Sequence, residues 1–101
     1  MSRTIWKFAF DVADEIYISM PGDASFLHVA EQHGQPCMWC EVDPDKSPSL
    51  VGFRLRGTGH PFDGTEDQYV GSFFMMGGAL VFHLYTEKSI KEADNGNESR
   101  A

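Results

Sequence analysis

The sequence lacks a long apolar run and has no excess of positive charge. A membrane-spanning helix needs about 20 mostly apolar residues, and neither such a run nor a signal-peptide stretch occurs in the 101 residues. Eight Lys and Arg residues stand against fifteen Asp and Glu residues, a formal net charge of −7. Because nucleic acids and anionic membranes are bound mainly through Lys and Arg, we expect neither direct nucleic-acid binding nor membrane association.

Helical periodicity is also missing. No segment places apolar residues at the i, i+3, i+4, i+7 spacing of an amphipathic helix, whereas alternation with a period of two recurs along the chain. Turn residues such as Pro21–Asp23, His33–Gly34 and Met76–Gly78 separate the alternating stretches. The pattern predicts an all-β fold with little helix, a small antiparallel sandwich or barrel of about seven strands. We expect residues 1–86 to form this single β-domain and the polar residues 87–101 to form a disordered C-terminal tail.

The last predicted strand is apolar on both of its faces. Leu80 and Leu84 lie on one face, and Val81, His83 and Tyr85 lie on the other. A strand that is apolar on both sides needs a second covering layer, which a partner subunit can supply in so small a domain. Symmetric homo-oligomers are common. We therefore expect a homo-oligomer with Val81, His83 and Tyr85 at the interface.

The segment Gly57–Pro61 is the most distinctive motif in the chain. Two glycines one residue apart allow backbone N–H groups to converge on an anion, and two arginines lie just before them. The alternative is a sharp bend after a strand, with both arginines paired to surface carboxylates. No helical pattern follows, so the motif is neither a P-loop nor a dinucleotide-binding fingerprint. The candidate ligand-binding residues are Arg54, Arg56, Gly57, Thr58, Gly59 and His60.

The remaining polar residues do not indicate catalysis or a cofactor. Cys37 and Cys40 form the C-x-x-C pair of this chain, but residues three apart on a strand point to opposite faces, so we expect two reduced thiols. The alternatives are a redox pair or half a zinc site. The four histidines have no ligand spacing, and no nucleophile motif is present. We expect no metal, no cofactor and no enzymatic activity.

Several segments in order carry a resemblance to a known group of proteins. They include IWKF near the start, EIYISMPGDA, HVAEQHGQPCMWCEVD, FRLRGTGHP and YVGSFFMMGGALVFHLY. This order resembles an uncharacterised family of small phage and prophage proteins, a domain of unknown function. The resemblance covers residues 4–86 and is most specific at Gly57–Pro61 and Gly77–His83. It implies a context but no mechanism.

The phage context favours a binding role in the cytosol of a bacterial host. We expect a non-enzymatic protein that antagonises a bacterial defence system, either by sequestering an anionic nucleotide signal or by binding a host defence protein. One alternative is a phage accessory or structural subunit that interacts with proteins and has no small-molecule site. A second alternative is a small nucleotide hydrolase that uses His60.

Overall fold

The computed structural model describes residues 2–88 and contains seven strands. They are β1 (Thr4–Ala9), β2 (Glu15–Pro21), β3 (Ser25–Gln32), β4 (Gln35–Val42), β5 (Pro48–Gly57), β6 (Glu66–Met75) and β7 (Leu80–Glu87). One turn of 3-10 helix, Met76–Gly78, joins β6 to β7. The all-β prediction is confirmed. Within residues 2–88, no helix has the length and apolar character needed to cross a membrane.

The strands form two antiparallel sheets. One has the order β1-β4-β3 and the other β2-β5-β7-β6. No ladder joins the two sheets in the described part of the chain, so the fold is a sandwich rather than a closed barrel. Inward-facing side chains of both sheets form one core. Its buried members are Phe10, Ile16, Met20, Val29, Met38, Cys40, Val42, Phe53, Leu55, Phe73 and Leu84.

The edge strands β3 and β6 approach each other where the sheets meet. A Cβ atom placed on Gly71 of β6 would lie 2.6 Å from the Cγ1 of Val29 on β3, so only glycine allows this contact. A groove of about 320 Å³ runs beside it, lined by residues 28–31 of β3 and 72–74 of β6. This seam, the contact between β3 and β6, therefore brings the three-stranded and the four-stranded sheet close together.

Period-two alternation assigns the faces of the central strand β5 correctly. Phe53 and Leu55 are buried in the core, whereas Arg54 and Arg56 lie on the opposite, outer face of the four-stranded sheet. At the chain start the alternating pattern continues to Val12, but β1 ends at Ala9, where its pairing with β4 stops.

The last strand ends at Glu87, so the first residue of the predicted tail belongs to the sheet. Lys88 is described as well, and its backbone N–H donates to the carbonyl of Thr65. The rest of the predicted tail lies outside the described residues.

Candidate functional site

The candidate site lies on the outer face of the four-stranded sheet. Residues 58–65, which connect β5 to β6, include Phe62 and Asp63, whose side chains reach outer-face residues of β7 and β5. The outer face beneath carries Arg54 and Arg56 from β5, and their cross-strand neighbours on β7 are Tyr85 and His83. The sheet register therefore brings the predicted arginines next to two of the predicted interface residues.

Arg56 holds the connecting loop in place. Its side chain is buried, with 8% of the residue exposed. Nε donates to Oε2 of Glu66 at 2.6 Å, and Nη2 donates to Oδ1 of Asp63 at 3.1 Å. Nη1 donates to the backbone carbonyl of Leu55 at 3.0 Å. Such charge-assisted bonds are among the stronger hydrogen bonds in proteins. The guanidinium is thus committed to the protein's own carboxylates.

Arg54 is also paired within the chain. It forms ion pairs with Glu15, at 2.8 Å from Nη1, and with Glu87 through Nη2. Glu87 in addition accepts a hydrogen bond of 3.0 Å from the hydroxyl of Tyr17. The buried Nε of Arg54 has no hydrogen-bond partner. Among the described residues, four carboxylates therefore neutralise the two guanidinium groups. This pairing matches the alternative interpretation of the motif, in which both arginines are paired to carboxylates. It leaves little positive charge to bind an added anion.

Hydrogen bonds keep the loop carboxylates ionised. The hydroxyl and backbone N–H of Thr65, together with the Arg56 guanidinium, lower the pKa of Asp63 to about 2. Burial raises the pKa of Glu66, but bonds from its own backbone N–H, from Arg56 and from the Asp63 N–H outweigh burial, and the net shift is downward. Both groups are therefore anionic at neutral pH, as their pairing with Arg56 requires.

A hollow of about 270 Å³ opens beside the loop. It is lined by Arg56, Gly57, Thr58, Gly59, His60, Phe62, His83 and Tyr85. Five of the six predicted ligand-binding residues thus share one hollow with two predicted interface residues. Arg54 instead lines a neighbouring polar cavity of about 320 Å³ with Asp14, Glu15 and Asp63 among others.

The Gly57–Pro61 segment forms a tight turn at the rim of this hollow. The His60 N–H donates to the Gly57 carbonyl at 3.0 Å, and the Thr58 N–H donates to the Val81 carbonyl at 3.1 Å. The His60 ring lies over Gly57, since a Cβ there would be 2.9 Å from Cε1 of His60. Gly59 has a φ of 91°, which favours glycine. The turn presents the His60 ring to the hollow.

His83 is fixed by hydrogen bonds at both ring nitrogens. Nε2 lies 2.8 Å from Oγ1 of Thr58, and Nδ1 lies 2.7 Å from Oγ of Ser72. The Ser72 hydroxyl is in turn 2.6 Å from the hydroxyl of Tyr69. A serine within hydrogen-bond distance of a histidine is one element of a nucleophilic site. Here the imidazole bridges two strands and the loop, and no carboxylate bonds to it in the described residues.

Sequence reasoning missed two aromatic residues of this face, Phe62 and Tyr69, although it predicted Tyr85 as an interface residue. Phe62 is 61% exposed, and its ring centroid lies 5.2 Å from that of Tyr85. Tyr69 packs against the same Tyr85 ring, with centroids 5.5 Å apart. Phe62 escaped notice because it stands in a polar loop outside any alternating pattern. A large apolar residue between turn residues was the signal that could have found it.

The cysteine pair does not contribute to the site. Cys37 and Cys40 are both buried, and their cross-strand partners place them on opposite faces of β4. Burial raises the pKa of the Cys40 thiol to about 11. In residues 2–88, no three His, Cys, Asp or Glu side chains are placed to hold a metal ion. A redox or zinc role thus has no geometric support here.

Comparison with known proteins gives a family and no function. No curated protein and no solved structure is detectably similar to the chain. Residues 1–95 match the family described as a domain of unknown function (DUF7352), and the chain belongs to that family.

Proposed function

We propose that this protein is a non-enzymatic binding protein of phage or prophage type. It captures a small ligand with a planar ring, a nucleotide signal of a bacterial defence system, and so antagonises that defence in the host cytosol. The observation that carries the proposal is the shared hollow, where the Gly57–His60 turn meets Phe62, His83 and Tyr85. The phage context comes from the resemblance described above.

The hollow suits a ring better than an isolated phosphate. Phe62 and Tyr85 provide apolar walls, and stacking of a base on an aromatic side chain contributes about 1–3 kcal/mol. His60 and Thr58 supply polar atoms at its edge. The volume is slightly below the range of roughly 300–1,000 Å³ usual for ligand pockets, which fits one ring system.

The arginines support the site indirectly. Arg56 and Arg54 are each paired with two carboxylates, so their role is to hold the loop and the end of β7. We therefore expect the ring, and not the phosphate groups, to contribute most of the binding energy of a nucleotide ligand. The sequence predicts that Arg54 and Arg56 bind an anion directly. This proposal replaces anion binding by recognition of the ring.

Native mass spectrometry tests this function. The protein is purified from bacteria with active nucleotide-signalling defence and compared with Phe62→Ala and with Leu50→Ala, an exposed control on β5 outside the hollow. We expect a bound mass of a few hundred daltons in the wild type and in Leu50→Ala but not in Phe62→Ala. A wild-type protein without added mass, which also fails to bind any nucleotide offered in solution, would contradict the proposal.

The second candidate is an interaction subunit without a small-molecule site. It is favoured by the exposure of Phe62 and Tyr69, because aromatic side chains are enriched at the centres of protein interfaces. The neutralised arginines are consistent with it. In that case the purified protein carries no ligand, and a pull-down from infected cells retains a partner protein that Phe62→Ala loses and Leu50→Ala keeps.

A further inference from the structure

The polar cavity of about 320 Å³ adjoins the hollow of the proposed function. Arg56 and His60 line both spaces, so a ligand whose ring lies in the hollow can extend past these two side chains into the cavity. The other charged groups of the cavity are the carboxylates of Asp14, Glu15 and Asp63 and the guanidinium of Arg54. The two spaces therefore differ in chemistry, with aromatic walls in the hollow and charged walls in the cavity.

The carboxylates of the cavity keep oxygen atoms that can accept hydrogen bonds. Within residues 2–88, no hydrogen bond or ion pair engages the carboxylate of Asp14. Glu15 pairs with Arg54 through Oε2, and Asp63 bonds to Arg56 through Oδ1. The second oxygens of both groups, Oε1 of Glu15 and Oδ2 of Asp63, have no partner among the same residues. A group that enters the cavity thus meets unused acceptors.

One donor of the cavity is also unused. Every nitrogen of the Arg56 side chain already donates to an acceptor of the protein. Arg54 uses Nη1 and Nη2 in its two ion pairs, but its Nε has no hydrogen-bond partner among the described residues, although only 9% of Arg54 is exposed. A buried N–H group without an acceptor is unfavourable, and such groups are rare in folded proteins.

This combination of free acceptors and one free donor fits a hydroxyl group best. A phosphate brings acceptors and negative charge to a cavity in which three carboxylates face two guanidinium groups, so it is repelled. An ammonium group donates hydrogen bonds but accepts none. A hydroxyl group donates to a carboxylate oxygen and also accepts from an N–H group. Carboxylates bind the hydroxyls of ribose in this way in dinucleotide-binding folds.

We propose that this cavity is the sugar subsite of the ligand site, where Asp14, Glu15 and Asp63 accept hydrogen bonds from the 2′- and 3′-hydroxyls of a ribose whose base lies in the hollow. The inference rests on the proposed function and deepens it, because it names the part of the ligand that lies beside the ring. The phosphate groups of a nucleotide then lie outside the cavity, in agreement with the pairing of both arginines to the protein's own carboxylates.

Isothermal titration with adenosine, guanosine, cytidine and uridine, each compared with its 2′,3′-dideoxy form, tests the subsite. We expect the wild type to bind at least one ribonucleoside about 10-fold or more tightly than its dideoxy form, because hydrogen bonds to charged groups are strong. Asp14→Ala should remove most of this preference and leave the affinity for the dideoxy form unchanged. Asp45→Ala is the matched control, an exposed carboxylate between β4 and β5 that does not line the cavity, and should behave like the wild type.

Two results would overturn the subsite while the proposed function stands, because the ring still binds in both. One is equal affinity of the wild type for a ribonucleoside and its dideoxy form, and the other is a preference for ribose that Asp14→Ala retains. If no nucleoside of either form binds, the proposed function and the subsite fail together. Asp14→Ala is expected to fold, since the Asp14 side chain is exposed and its backbone carbonyl still accepts from the Leu55 N–H, and circular dichroism checks this.

Discussion

At the scale of single residues, the arginines show how burial changes the meaning of a motif. Two arginines before a glycine-rich turn indicate an anion site when only the sequence is considered. In the fold, Arg56 is enclosed by Glu66, Asp63 and the carbonyl of Leu55. Its charge stabilises a loop, because a buried guanidinium must be paired to remain stable.

The acid stability of the protein should depend on Asp63. Its pKa is about 2 in the folded protein and near 3.8 ordinarily. A depressed pKa stabilises the folded state above the unfolded value, and this stabilisation is lost as the pH falls from about 4 towards about 2. We expect Asp63→Asn to lose less stability than the wild type across that window. Urea unfolding midpoints at about pH 5 and pH 2.5 measure this difference, and equal losses in both proteins would contradict it.

The cysteines should be unreactive in the native state. Cys37 and Cys40 are almost completely buried, and the raised pKa of Cys40 leaves little thiolate at neutral or mildly alkaline pH. We expect iodoacetamide to modify neither thiol in the folded protein and both in urea, as read by intact mass. Rapid labelling of the native protein would contradict the burial of Cys37 and Cys40 on β4.

At the scale of elements, the contact between β3 and β6 depends on a glycine, which has no side chain, at position 71. Gly71 allows the Val29 side chain to pack against β6 where a β-carbon would collide with it. Alternation predicts that both strands exist and which faces are apolar. It does not predict which strand of one sheet approaches which strand of the other, because that depends on side-chain volumes that are distant in the sequence.

Gly71→Ala should destabilise the sandwich. The added methyl group forces Val29 or the β6 backbone to move, which costs about 1–3 kcal/mol in the free energy of unfolding. Gly22→Ala is the control, because its nearest contact would be at 3.6 Å and its φ is not positive, and we expect a change within about 0.5 kcal/mol. Val29→Ala should recover part of the loss when combined with Gly71→Ala. A neutral Gly71→Ala would contradict the close approach.

At the scale of the whole molecule, the sequence predicts the layers better than the site. Seven alternating segments with turn residues between them specify an antiparallel all-β protein, and strand register then places His83 beside Arg56. The fold-back of residues 58–65 could not be predicted, since it depends on ion pairs with Glu66 and Asp63 that no periodic pattern encodes. The exposed ring of Phe62 was overlooked for the same reason.

The central claim of this account is that the hollow beside Tyr85 recognises a ring and not a phosphate. Isothermal titration of the purified protein with a panel of nucleosides, their 5′-monophosphates and ribose 5-phosphate tests it most directly. The account predicts that at least one nucleoside binds about as tightly as its monophosphate, that ribose 5-phosphate does not bind, and that Phe62→Ala abolishes the signal. Binding of ribose 5-phosphate as tight as that of the nucleotides, retained in Phe62→Ala, would contradict the account and return the arginines to the role of anion ligands.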